Sequence, residues 1–339
     1  MGNGGDGVGG GTPMGSGGGG GLGAASWHCP PASTFSGMSP FSGSTVAATR
    51  IAGAPPADSF NAMGNDFTTV EGPVWIGDAL YYSELTTGNL PPARILKMTA
   101  DEVSSVFIDN SGSNGLATDG VNIISANPGA QGIVRFALPS KTPATLVCPY
   151  DNRKFNSPND LALAADGTFY FTDPDYQNTA KPQGTTSVYQ VLAPLGGGCA
   201  SAAPVTDYTA EPNGIALSLD EKTLFVGGGQ GVRAYAIAGE TVSTTGIAFG
   251  PSEVVGVNTD GMALDCAGNL YVAVASSTTV VVVKTDGSKL GTVTISGAQA
   301  VTNVAFGGTD HQTLYVTAQG SGKGQGVFKA HLNIPGKPY

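Results

Sequence analysis

Charge, histidine and long apolar runs are all scarce in this chain of 339 residues. Charged residues make up 12% of it, with 15 Lys and Arg against 25 Asp and Glu. No basic stripe is present, which argues against a nucleic-acid partner, because phosphate neutralisation supplies most of that affinity. No apolar run approaches the ~18 residues of a membrane span. The three histidines are His28, His311 and His331, and there is no G-x-S-x-G elbow, so a Ser-His-Asp hydrolase is disfavoured. Four cysteines, Cys29, Cys148, Cys199 and Cys266, form no C-x-x-C. Zinc-ribbon and thioredoxin-type sites therefore lack support. The cysteines are either buried small hydrophobes or the halves of one or two disulfides, whose pairing the spacing leaves open.

Glycine, by contrast, is abundant: 52 residues, alongside 22 prolines. Few long helices are expected from that composition. Residues 1–25 read as a disordered Gly-rich tether with too little apolar surface to offset the entropy of ordering. Residues 26–339 read as a single domain. No charged segment followed by an apolar one marks a signal peptide. The tether nevertheless resembles the start of a mature chain behind a removed secretion signal or a lipid-anchored cysteine, so an exported bacterial protein, periplasmic, secreted or surface-tethered, is expected.

One pattern recurs six times: a polar residue, a small residue, an apolar stretch, an Asp- or Gly-containing turn, then an alternating aromatic and β-branched run. The copies open at Glu71, Asn114, Asn159, Asn213, Asp260 and Asn303, at intervals of 43, 45, 54, 47 and 43 residues. Each reads as a hairpin, and runs such as Arg94-Ile-Leu-Lys-Met and Ser187-Val-Tyr-Gln-Val add a third strand. The period is that of a four-stranded propeller blade. The sequence thus predicts an all-β fold: a six-bladed β-propeller with four-stranded blades around a central metal-binding channel, its six repeats over 68–339. The segment 26–67, with strand-like Ser44-Thr-Val-Ala-Ala, is expected to close the last blade, which would otherwise leave an open edge.

Rotational equivalence brings the six opening residues to one end of the channel. All six carry side-chain oxygens, and two carboxylates among several amides suit a hard cation, Ca2+ first, with Mg2+, Mn2+ or Zn2+ as other candidates. Asn and Asp also open strands by bonding local backbone. Glu71 is not explained that way, since Glu is a poor turn residue.

Glu71-Gly-Pro-Val-Trp, Asn156-Ser-Pro-Asn-Asp-Leu, Phe171-Thr-Asp-Pro, Pro212-Asn-Gly-Ile-Ala-Leu-Ser, Thr259-Asp-Gly-Met-Ala-Leu-Asp and Asn303-Val-Ala-Phe-Gly-Gly-Thr-Asp together resemble the senescence-marker-protein, gluconolactonase and luciferin-regenerating-enzyme family over roughly 67–335. The resemblance implies a six-bladed propeller with one divalent cation in its channel and lactone hydrolysis as the activity. It matches Glu71, Asn213 and Asp260 to metal ligands, and Asn159 to a position that ligates metal or contacts substrate. Where bacterial gluconolactonases show Glu-His-Gly, this chain has Ala126-Asn127-Pro128-Gly129, so Asn127 replaces a pocket-lining imidazole. Glu84 stands where an Asp is expected and reads as a charged residue ending a strand at the rim.

The expected reaction is metal-assisted opening of a lactone or ester, with Asp260 and Glu71 as the catalytic carboxylates, Asp260 the base and Glu71 the anchor. Asn159, Asn114, Asn127 and Tyr176 are the expected substrate contacts, with Phe155 a further pocket wall. The widest interval predicts an extended rim over Gln177 to Gly184 and Ala193 to Pro204. The lack of a histidine pair disfavours paraoxonase-like chemistry. Two alternatives stand: a phosphotriesterase resembling the squid-type diisopropylfluorophosphatase, and a non-catalytic propeller stiffened by calcium. A monomer acting on a small molecule is expected in the enzymatic cases.

Overall fold

The computed structural model describes residue 1 and residues 27–55, 67–86, 92–178, 180–193, 198–320 and 325–338. The expected tether, Met1 apart, lies outside the described residues. Among them the single helical element is one 3-10 turn, Ala32–Phe35, and the remaining regular structure is β-strand.

Each repeat opens an antiparallel meander. The first module comprises Phe67–Ile76, Ala79–Thr86, Ala93–Met98 and Ser104–Ile108. The second comprises Leu116–Thr118, Asn122–Asn127, Gly132–Ala137 and Pro143–Thr145. Leu161–Leu163, Phe169–Asp173, Ser187–Val191 and Ala203–Pro204 make the third. In the fourth, Pro212–Leu217, Thr223–Gly228 and Arg233–Ala238 pair in order, and two short strands, Thr241–Val242 and Ile247–Ala248, both join Arg233–Ala238. The fifth runs Thr259–Leu264, Leu270–Val274, Thr279–Val283 and Lys289–Ile295. The sixth has Ala300–Gly307, Thr313–Gln319 and Gly326–His331. Beside it lies Thr45–Arg50, antiparallel to Gly326–His331 and parallel to Lys289–Ile295.

The hairpin turns show why Asp recurs in them. Asp166, Asp220 and Asp310 each accept, through Oδ1, the N–H two residues on, from Thr168, Lys222 and Gln312 at 2.8, 3.1 and 2.9 Å. A short carboxylate closes such a turn without needing further residues. Asp265, fully buried, takes N–H groups of Ala267 and Asn269, the Asn269 amide and the Tyr271 hydroxyl.

Apolar side chains fill the space between successive modules. Val74, Leu116 and Ile123 join the first to the second, and Ala117, Ile124, Leu161 and Phe171 the second to the third. Val188, Ile215 and Leu224 bridge third and fourth, Phe225, Met262 and Val272 fourth and fifth, and Tyr271, Val304 and Phe306 fifth and sixth. Val70, Leu80, Tyr315 and Val327 then pack the sixth against the first. The first strands follow the same order, each beside the next, with Ala300–Gly307 beside Phe67–Ile76. All four cysteines are paired, Cys29 with Cys266 and Cys148 with Cys199.

Two expectations need correction. Phe155 is no pocket wall: it is buried edge-on against Phe171 and Tyr189, both ring centroids 5.0 Å away. Glu84 does not end at an exposed rim. It is fully buried, takes two 2.8 Å bonds from Arg94 and one from Gln325 Nε2 at 3.1 Å, while Arg94 lies 4.2 Å over the Phe67 ring. Breaking a buried pair leaves an uncompensated charge. Glu84→Ala is therefore expected to cost about 3–5 kcal/mol in urea unfolding, and the double variant Glu84→Leu with Arg94→Met considerably less.

Candidate functional site

Four of the opening residues sit where strand register breaks. Register shifts fall between Glu71 and Val74, Pro212 and Ile215, Thr259 and Met262, and Val301 and Asn303. A bulge bends the strand and re-aims its side chain. Asn114 and Asn159 stand just ahead of the strands Leu116–Thr118 and Leu161–Leu163. Glu71, Asn114, Asn159, Asn213 and Asn303 are all buried, while Asp260 keeps partial exposure.

Three carboxyl groups share this region. Burial, then Asp260, then Asp160 push Glu71 well above the ordinary carboxylate range, against the Gly72 N–H, which donates to Glu71 Oε2 at 3.1 Å, and the Asn303 amide. Burial and then Asp160 raise Asp260, opposed by the Gly261 N–H and the Asn213 amide. Asp160 is pushed up to about 7 by burial, with the N–H groups of Leu161 and Ile215 and the Asn303 amide pulling the other way. Asn303 Nδ2 lies 3.5 Å from Asp160 Oδ2. Asp160 was not among the residues expected from the sequence. A signal was there: the position after the opening residue is Gly72, Gly115, Gly214 or Gly261 in four copies and Val304 in a fifth, and Asp160 alone puts a carboxylate there.

Among the described residues, three buried side-chain polar atoms lack a hydrogen-bond partner, and two of them are Asn114 Oδ1 and Asn213 Oδ1. A buried acceptor left unpaired is costly and calls for a reason. No three His, Cys, Asp or Glu side chains among the described residues form a metal-holding group by themselves. A cation here would need amide oxygens beside carboxylates, and the orphaned oxygens are of that kind. The donor set, all oxygen with anionic members pushed toward protonation, fits a hard divalent ion.

Tyr176 lies beside this set. Its hydroxyl donates to Glu211 O at 3.0 Å, and burial, with Asp260 and Glu211 nearby, pushes its phenol above the ordinary range. Asn127 is buried with both ends of its amide engaged by backbone: Nδ2 donates to Ser111 O at 2.9 Å, and Oδ1 accepts from Ala130 N–H at 2.8 Å. The segment after Tyr176 is clasped from below. Ser157 Oγ donates to Gln177 Oε1, Asn178 Nδ2 to Pro128 O and Asn156 O, and Gln183 Nε2 to Tyr150 O. The second expected rim stretch ends elsewhere, since Ala203–Pro204 is the outermost strand of the third module. A narrow cavity of about 60 Å³ is lined by Asp160 and Asn303 and by Ile215, Leu217, Met262, Leu264 and Lys337. It is too small for a sugar-sized ring, given that ligand pockets span about 300–1,000 Å³.

Residues 69–320 match the SMP-30/Gluconolactonase/LRE-like region, and the chain belongs to that family. It is 28% identical over 292 residues to a gluconolactonase of Zymomonas mobilis, covering 76% of this chain and 78% of that one. A gluconolactonase structure from Xanthomonas campestris superposes with a TM-score of 0.66 at 26% identity, covering 79% of this chain and 87% of the other. The calcium-binding protein regucalcin of Agrobacterium tumefaciens shares the fold at a TM-score of 0.66 and 16% identity, over 88% of this chain and 98% of that one. Among the described residues no helix is long and apolar enough to cross a membrane.

The crowded carboxyls set a pH dependence. Unfolded, these groups titrate near 4; folded, they hold their protons to higher pH, Asp160 to about 7. Below pH 4 both states are protonated and nothing is lost. As pH rises through that window the unfolded chain releases protons first, so stability falls. With chelator present, the contribution of these groups is expected to lower Tm from pH 4 to 8, and the decline in thermal melts should be shallower for Asp160→Asn.

Proposed function

We propose that the chain is a closed six-bladed propeller that opens a lactone with the help of one divalent cation, Ca2+ foremost. The observation that carries this reading is the pairing of buried, mutually opposed carboxyls with two orphaned amide oxygens at the ends of the inner strands. Support for the closed ring comes from the cyclic adjacency of those strands. The gluconolactonases among its relatives support the substrate class.

Glu71, Asn213 and Asp260 would hold the cation, with Asn159 completing the set, and its chemistry when bound is Lewis-acid polarisation of the ester carbonyl. Asp260 takes the proton from the attacking water. Asp260 is the ring residue with partial exposure, whereas Glu71 is buried, accepts the Gly72 N–H and serves as anchor. Asn114, Asn159 and Tyr176 orient the ring of the substrate. Asn127 braces the turn beneath it through its two backbone bonds. The two disulfides favour an oxidising compartment, in line with an exported monomer.

A panel of lactones, glucono-δ-lactone included, and paraoxon-type esters assayed with and without chelator tests this. We expect lactone turnover that chelation removes and Ca2+ restores. Asp260→Asn is expected to lower kcat by about 10²–10⁴ with its circular dichroism unchanged. Near-normal turnover in that variant would sink the role of Asp260, and a metal-raised Tm without turnover on any substrate would replace the enzyme by a calcium-stiffened binder.

A further inference from the structure

Hydroxyl groups tie one module to the next at the level of the site. Ser83 Oγ, in the first module, donates to Asn114 O in the second at 2.6 Å. Thr302 Oγ1, in the sixth, donates to Val70 O in the first at 2.5 Å. Thr172, in the third, donates to Asn213 O in the fourth at 2.6 Å.

Thr172 does more than the other two. Its Oγ1 also accepts the N–H of Asp160 at 3.0 Å, and its carbonyl accepts the N–H of Asn159 at 2.9 Å. The direction of each bond is forced. An N–H cannot accept, so Thr172 Oγ1 must accept from Asp160, and its one proton is then free for Asn213 O. The contact from Thr172 Oγ1 to Asp160 O, at 3.4 Å, is the longer competitor for that proton. One fully buried oxygen therefore fixes the spacing between Asn159–Asp160 on one module and Asn213 on the next. Asn213, held by its backbone, has a side-chain Oδ1 with no partner. Threonine's hydroxyl is what the geometry uses. Serine would keep it, and valine, of nearly the same shape, would not.

We propose that Thr172 is a positioning residue: its hydroxyl sets the distance across the boundary between the third and fourth modules and so aims Asn213 Oδ1 into the cation site. This rests on the cation reading above. Partners that orient ligating groups govern metal affinity almost as strongly as the ligands themselves.

The test measures Ca2+ affinity by calorimetry on the full chain for wild type, Thr172→Val, Thr172→Ser and Ser125→Ala, together with crystal structures of the chelated wild type and valine variant. Ser125 is the structural control, a fully buried hydroxyl that among the described residues bonds only Ala126 O, at 3.0 Å. Thr172→Val is expected to weaken Ca2+ binding about 10- to 100-fold and to displace Asn213 in the chelated crystal. Thr172→Ser should restore affinity, and Ser125→Ala should lower Tm without moving the Ca2+ Kd. Should valine not pack, Thr172→Ala removes the same hydroxyl.

Wild-type Kd in the valine variant, or an equal loss in the serine variant, would overturn the proposal. A wild-type chain that takes up no divalent cation overturns the cation reading and the aiming role with it. The chelated crystals keep that failure distinct, because Asn213 unmoved by the loss of the hydroxyl would show that the tie itself is absent.

Discussion

Sheets can converge on a common centre only where their first strands approach at backbone distance, and this close approach governs the rest of the molecule. A Cβ added to Gly72 would collide with Asn114 O and the Gly115 backbone, and one added to Gly214 would collide with Asp260 O. Gly72 also has φ of +51°, in the left-handed region that side chains avoid. The glycines after the opening residues are thus the points where one module touches the next. The opening residues stand immediately beside those contacts. Bulges in the same places bend the strands, so a local irregularity produces both the tight approach and the gathering of polar groups.

That coupling explains what could be read along the chain and what could not. The repeat was legible because period, turn chemistry and alternation are local properties, and each hairpin Asp does the local work expected of it. The opening residues stand out in the sequence because six oxygen-bearing side chains recur at matching phase and one of them, Glu71, is a poor turn residue. Asp160 was obscured by its neighbour Asn159, which holds the expected phase; only its carboxylate at a position otherwise Gly or Val distinguishes it. Phe155, Glu84 and Asn127 depend on which distant segments cover them: Tyr189 for Phe155, Gln325 for Glu84 and Ser111 for Asn127. No spacing rule contains that information. The cysteine pairs, one spanning 237 residues, are of the same kind.

The carboxyls are an exception to the economy of the rest. Elsewhere buried charge is matched, as Glu84 is by Arg94, or saturated with donors, as Asp265 is. Glu71, Asp160 and Asp260 instead oppose one another, with only N–H groups and amides to offset them. A fold tolerates such a cluster only when other interactions over-determine its geometry. Here those are the continuous apolar layers between modules, the disulfides and the cross-module hydroxyl bonds.

The segment at Lys337 and Pro338 lines part of the narrow cavity. Lys337 donates to Leu217 O at 3.3 Å, its N–H donates to Leu264 O, and burial lowers its ammonium pKa. The same terminal segment receives the Trp27 indole N–H at Gly336 O and lies beside the Cys29–Cys266 bridge. Trp27, the Cys29–Cys266 bridge and the segment around Gly336 thus meet next to the Lys337 end of the cavity. The apolar walls and small volume of that cavity leave little room for a small molecule beside Lys337. Two chemically similar carboxyls, Glu71 and Asp260, differ in surroundings rather than in kind: Glu71 meets the Gly72 N–H and the Asn303 amide, Asp260 the Gly261 N–H and the Asn213 amide.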